Sequence, residues 1–172
     1  MHVGTQQFST SDEDLEYLAR HGVFNKNENN FTFHRDYGWD VAELIAKKEQ
    51  CARFGIEMEM VALPMAQFHT GGEGVPHFMQ GEYEEGDREI ELIINMVRQA
   101  AEAGIPAIKY YLCALENQRT ASIPPGRGGS IYSTWDLEQA DADTPRYSEP
   151  VTAEENWRRI TYFLERVIPV AT

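Results

Sequence analysis

Several polar groups in this chain are placed as if to meet a ligand. In residues 109–120, KYYLCALENQRT, an apolar and aromatic run from Tyr110 to Leu115 gives way to Glu116, Asn117, Gln118, Arg119 and Thr120. A guanidinium such as that of Arg119 clamps a carboxylate through paired hydrogen bonds, so Glu116, Asn117 and Arg119 read as a binding tip at the end of a strand. A solvated loop start carrying its own salt bridge would have the same composition. Gln6 and Gln7 stand near the end of the opening strand, where one must face inward to bind a hydroxyl or to pair structurally. Lys109 lies within a strand, and a lysine there is rarely buried without a partner. Glu57 or Glu59 on the neighbouring strand would supply one, and these two carboxylates share a face of IEMEMVAL while Ile56, Met58 and Met60 take the other. His34, with Arg35, Asp36 and Tyr37, sits in a polar loop whose composition suits closure over an anionic substrate or simple solvation.

Other polar residues carry less. His69 and His77 flank a Gly-rich loop at a spacing that fits no zinc signature and read as surface residues. GGEG and GRGGS are hinges, since neither is a P-loop or dinucleotide fingerprint. The acidic stretch GEYEEGDRE solvates and caps the start of a helix. Met58, Met60 and Met65 are core filler, and Cys51 and Cys113 are expected as buried thiols without a disulfide.

Positioning these residues falls to a repeated unit. Residues 12–20 place Leu15, Leu18 and Ala19 on one helical face, with Ser11 as N-cap, Asp14 near a capping-box position and Gly22 as the stop. The pattern recurs over residues 39–54, where Val41, Leu44, Ile45, Cys51 and Ala52 form the stripe, and Gly55 precedes the next strand. A third copy spans residues 87–103, with Ile90, Ile93, Ile94, Val97 and Ala101 inward and Gly104 after it. Thr152 and Glu155 then open a helix through Trp157, Ile160, Phe163, Leu164 and Val167.

Strands at about 2–8, 23–27, 56–63 and 105–113 complete four βα units, hence an α/β fold with parallel pairing through right-handed crossovers. Length and hydrophobic content, 172 residues and 42%, suit a single domain over residues 1–172, with a long loop insertion at about 116–151. Loops after the strands are long and polar and the opposite turns are short, which puts a binding site at the strands' carboxyl ends. Two architectures remain open: an open flavodoxin-like parallel sheet, or half of an eight-stranded (β/α)8 TIM barrel.

Composition excludes some roles. With 28 Asp and Glu against 15 Lys and Arg, the formal charge of −13 repels phosphate backbones and anionic lipid, so neither nucleic acid nor membrane is an expected partner. No stretch approaches the roughly 20 apolar residues of a membrane span, and the N-terminus lacks a basic segment with an apolar core. A cytoplasmic location is expected.

MHVGTQQF with SDEDLEYLARHGV, together with the fourth strand and its loop, resembles the mannonate dehydratase family of the xylose-isomerase-like barrels. That family's fourth strand ends in a Tyr-rich run, then an acid and a polar stretch closing on Arg-Thr, a Gly-Ser excursion and an aromatic-Asp segment. The counterparts here are Glu116, Arg119 and Thr120, then Gly129, Ser130, Tyr132, Trp135 and Asp136. Where the family usually carries Asp-Trp, this chain has Glu116 and Asn117.

The resemblance spans most of the chain and about half of such an enzyme, so it implies the N-terminal half of a barrel. It implies a lyase of hexuronate catabolism that takes D-mannonate to 2-keto-3-deoxy-D-gluconate and water, with Mn2+ or a similar divalent metal. The metal's His, Cys and Asp ligands belong to the family's second half and are expected outside this chain. The substrate-binding set is then Gln6, His34, Lys109, Glu116, Asn117 and Arg119 around a small sugar acid. Alternatives are a sugar isomerase or epimerase of the same superfamily, or a non-catalytic truncated α/β module. Homo-oligomerisation through exposed sheet edges is a further expectation.

Overall fold

A computed structural model describes residues 2–6, 9–65, 75–112, 119–120, 126–140 and 151–171. Its elements follow in the order β1 (Gly4–Thr5), α1 (Asp12–Arg20), β2 (Asn25–Glu28), α2 (Val41–Arg53), β3 (Glu57–Ala62), α3 (His77–Gln80), α4 (Tyr83–Glu102), β4 (Ala107–Lys109) and α5 (Ala153–Ala171). Two short 3-10 turns, Arg127–Gly129 and Leu137–Gln139, lie between β4 and α5.

The helices begin where their capping residues dictate. Ser11 accepts the amide of Asp14, Asp40 accepts that of Ala42, and Thr152 accepts that of Glu155 at 3.2 Å. The hydroxyls of Ser9 and Ser11 hold the Asp14 carboxyl below its ordinary range. Helix α4 starts four residues before the expected residue 87, because the acidic stretch enters the helix and places Glu84 and Glu85 in its first turn.

All four strands are parallel and stand in the order β1-β2-β3-β4. A flavodoxin-like sheet would place its first strand between the second and third, so that alternative is set aside. Strands met in order, each joined to the next through a helix, are the arrangement of a barrel arc.

On the helix side lies one apolar cluster. Ile56, Met58, Val61 and Leu63 of the β3 segment pack with Leu15 and Leu18 of α1, Leu44 and Cys51 of α2, Ile90 and Ile93 of α4, and Phe163 and Val167 of α5. Each large side chain buried there is worth about 1.5–3 kcal/mol over exposure. Phe78 of α3 stacks on Phe163 with ring centroids 4.9 Å apart, which ties the short α3 to α5. Gly86 makes the α3 crossing possible: a Cβ there would lie 2.8 Å from the Cα of Phe78.

The expected stripes need correction at their margins. Ile45 and Ala52 are exposed, because the buried face of α2 runs through Leu44 and Cys51 alone. Trp157, 67% exposed, lies one turn before the part of α5 that meets the core. Ala101 is exposed at the sheet's open side. Tyr110 and Tyr111 are also more than two-fifths exposed, so the buried strand expected from residue 110 onward has ended in pairing terms at Lys109.

The face of β3 changes phase along its length. Lys26 pairs with Met58 and Asn27 with Met60, which makes Glu59 an extra residue on β3. A bulge of this kind puts consecutive residues on the same side and reverses the alternation beyond it. Glu59 and Met60 therefore both line the concave face, and Val61 returns to the core. Met60 is not on the face of Met58, as strict alternation required.

Strand β2 is NKNE, without one apolar residue, yet Lys26 and Glu28 are each 1% exposed. They face each other at 3.8 Å on the helix side, and Glu28 Oε1 accepts the amides of Asn29 and Asn30, both at 2.9 Å. The pair thus turns a polar sequence into a central strand with charge compensated inside.

Candidate site on the concave rim

Parallel strands bring their carboxyl ends to one rim. Gln6 directly follows β1, Asn29 directly follows β2 and Lys109 ends β4. There the Lys109 ammonium donates to Gln6 Oε1, across the concave face from one edge strand to the other. Asn27 Nδ2 reaches the same oxygen at 3.5 Å and Asn29 Oδ1 at 3.3 Å, while Asn29 Nδ2 donates to the Gln6 carbonyl at 3.1 Å. Gln6, Asn25, Asn27, Glu59, Met60 and Lys109 line a pocket of about 330 Å3 on this face, within the size range of small-molecule sites.

Charge is unevenly distributed over the pocket. Among the described residues no carboxylate lies within ion-pair distance of the half-buried Lys109 ammonium, so the expected pairing with Glu57 or Glu59 is not the one found. Glu59 is instead bonded to His2, Nε2 to Oε2 at 2.9 Å, one layer below the rim. The bulge, which re-aims Glu59, accounts for the separation.

Gln6 and Lys109 of the expected set come together, and Asn27 and Asn29 join them. Neither asparagine is in the expected set: the strand expected at 23–27 runs on to Glu28, which brings Asn29 to the rim. Their signal was present in the alternation of Asn25 and Asn27 with Lys26 and Glu28.

His34 does not line this pocket. It closes a tight turn with Gly38 through reciprocal backbone bonds of 2.8 Å and stacks on Tyr37, with ring centroids 4.5 Å apart. Asn95 and Gln99 of α4 both donate to the Tyr37 carbonyl at 2.8 Å, which fastens the turn to the helix layer. His77 also departs from the surface reading: Glu89, 8% exposed, accepts both its ring Nδ1–H at 2.6 Å and its backbone amide at 2.7 Å. That carboxylate caps α3 and anchors the far end of the loop after β3.

Arg119 is exposed, and next to it Thr120 accepts the amide of Asp136 and donates its own to Thr134 at 2.9 Å. GRGGS is a closed turn rather than a hinge, with the Gly126 amide bonded to the Ser130 carbonyl at 2.6 Å. Gln7, His69, Cys113, Glu116, Asn117 and the GGEG run lie outside the described residues.

No family model matches the chain, and no curated protein matches it. Among solved structures it is similar to the mannonate dehydratase from Streptococcus suis serotype 2, with a TM-score of 0.73 and 15% identity over 99% of this chain and 50% of that one. The fold is half a (β/α)8 barrel. The chain spans about half the length of the solved structure it matches, and identity this low establishes the fold alone. A sugar phosphate isomerase/epimerase from Parabacteroides distasonis is similar at a TM-score of 0.41 and 13% identity, covering 99% of this chain and 65% of that one, too loose a likeness to weigh.

Among the described residues no three His, Cys, Asp or Glu side chains converge as a metal site. What they provide is a cation and a set of amides. Among those residues, too, no helix is long and apolar enough to cross a membrane.

Proposed function

We propose that the concave rim is one wall of a sugar-acid site, and that the chain serves a lyase of the mannonate dehydratase kind acting on D-mannonate or a close relative. The observation that carries this reading is the Lys109 ammonium. It sits half-buried at the rim, held by the neutral amide of Gln6 and without a carboxylate in reach among the described residues. An ammonium so placed pairs with a ligand carboxylate, and the amides of Asn27 and Asn29 suit the donor and acceptor pattern of adjacent hydroxyls.

In this reading the residues bind and orient. Lys109 fixes the acid end, and the Gln6, Asn27 and Asn29 ladder fixes the chain of hydroxyls. The half-barrel likeness to a mannonate dehydratase supports the substrate class.

The test is binding, read residue by residue in solution. Titration with D-mannonate should shift the amide signals of Gln6, Asn27 and Asn29 saturably. D-mannitol, which has the same carbon chain without the carboxylate, should do so at least tenfold more weakly. Equal binding of the two, or none by either, would overturn the reading.

A further inference from the structure

The pocket on the concave face is polar in a directed sense. Its upper end carries the Lys109 ammonium, which can only donate, and its lower end carries the Glu59 carboxylate, which can only accept. Among the described residues Glu59 meets His2 through Oε2 at 2.9 Å, and its other oxygen takes no hydrogen bond.

Between the two levels stands Asn27, paired with Met60 in the ladder. Its Nδ2 is committed to Gln6 Oε1 and Asn29 Oδ1, while its Oδ1 is buried without a donor among the described residues. A buried acceptor left open in this way calls for a partner, and in a pocket a ligand hydroxyl is one. Ala62 pairs with Lys109, and Glu59 lies three residues before Ala62 on β3. At about 3.3 Å per residue the two levels are roughly 10 Å apart along the strands. An extended six-carbon acid with a hydrogen bond at each end spans that interval.

We infer that the pocket reads its ligand end to end, and that Glu59 selects aldonates, with a single carboxylate, over aldarates, with one at each end. The carboxylate goes to Lys109, an inner hydroxyl donates to Asn27 Oδ1, and the terminal hydroxyl donates to the remaining oxygen of Glu59. A second carboxylate in that last position would face Glu59 with no proton between them. The Glu59 side chain is only 33% exposed, so water screens this repulsion in part and the mismatch counts against the diacid. The inference rests on the sugar-acid reading and names which members of that class the site takes.

Calorimetric titration at pH 8, where ordinary imidazoles are neutral, compares D-mannonate with D-mannarate. The diacid has the same chain with a carboxylate at both ends, so whichever end meets Lys109 leaves the other at Glu59. The wild type should bind D-mannonate at least tenfold more tightly. Glu59→Gln should shrink that ratio to threefold or less by tightening D-mannarate. Glu57→Gln makes the same change of net charge outside the pocket lining and should leave the ratio as it is.

If E59Q fails to fold, judged by circular dichroism, 6-deoxy-D-mannonate decides on the wild type. It lacks the terminal donor and should bind at least threefold more weakly than D-mannonate. Equal binding of D-mannonate and D-mannarate would overturn the inference and leave the sugar-acid reading standing. So would a ratio that E59Q leaves intact or that E57Q shrinks as far, or equal binding of the 6-deoxy acid. A wild type that does not bind D-mannonate would overturn both.

Discussion

The Lys109 ammonium donates a hydrogen bond to the side-chain carbonyl of Gln6, joining the last residue of β4 to the residue that follows β1. Adjacent strands stand about 4.8 Å apart, so a flat sheet would separate the two edges by roughly 14 Å, beyond the comfortable reach of these two side chains. The contact therefore reports the curvature of the sheet as well as the chemistry of the rim.

Replacing Gln6 by Ala should release that tie. A hydrogen bond to a charged group at a partly exposed site contributes about 1 kcal/mol, and urea unfolding should show a loss of that size without a change in slope. Lys109→Met, which keeps the aliphatic stem but breaks the same tie, should cost a similar amount of stability and weaken D-mannonate binding roughly tenfold, the equivalent of about 1.4 kcal/mol.

Lys26 and Glu28 make a sharper prediction. Both are buried, and removing the Lys26 ammonium leaves the Glu28 carboxylate with its backbone donors alone among the described residues. Lys26→Met should cost about 3–5 kcal/mol in chemical denaturation, and Glu28→Leu should also destabilise. The double variant should recover much of the loss, short of full recovery because the amides of Asn29 and Asn30 lose their acceptor. Additive losses would mean that the two groups act independently.

Gly86 lies inside α4, where alanine is normally the better helix former by about 1 kcal/mol. Gly86→Ala should nonetheless lower the melting temperature. The added methyl would meet the Phe78 Cβ at 2.7 Å and its backbone Cα and N at 2.8 and 2.9 Å, and moving α3 disturbs the Phe78–Phe163 stack. A net cost of about 1–3 kcal/mol is expected.

Burial raises the ionisation of the Cys51 thiol above its ordinary value of 9.0. The unfolded chain then ionises first as pH rises, so stability from this group is intact below that value and falls above it. Thermal melts from pH 7 to pH 10.5 should lose stability more steeply in the wild type than in Cys51→Ala. Alkylation mapped by mass spectrometry should reach Cys51 only after denaturant is added.

Helices were legible because their grammar is local: a cap at Ser11 or Thr152, an apolar stripe, a glycine stop. The parallel βα arrangement followed from that rhythm. What the residue pattern could not show was a pairing register, since the extra residue at Glu59 exists only relative to Lys26 and Asn27 across the ladder. Strand β2 resisted for a related reason. Its buried charges form an ion pair at 3.8 Å, and hydropathy does not register a lysine made interior beside a glutamate two residues on.

In the site, Gln6 and Lys109 were legible from strand ends. Their partnership was not, because a contact spanning four strands depends on curvature. Loop composition alone could not show how His34 is held, because the side chains of Asn95 and Gln99 that fasten its loop lie far along the chain.

The sequential strand order also bears on how the protein is made. Gly4 pairs with Asn25, Asn25 with Glu57, and Met60 with Ala107, so no strand waits for a partner synthesised later than its immediate successor. The arc can therefore grow vectorially as the chain leaves the ribosome, each new unit docking on one already formed. Among the described strands β4 is laid down last, on a β3 already paired with β2.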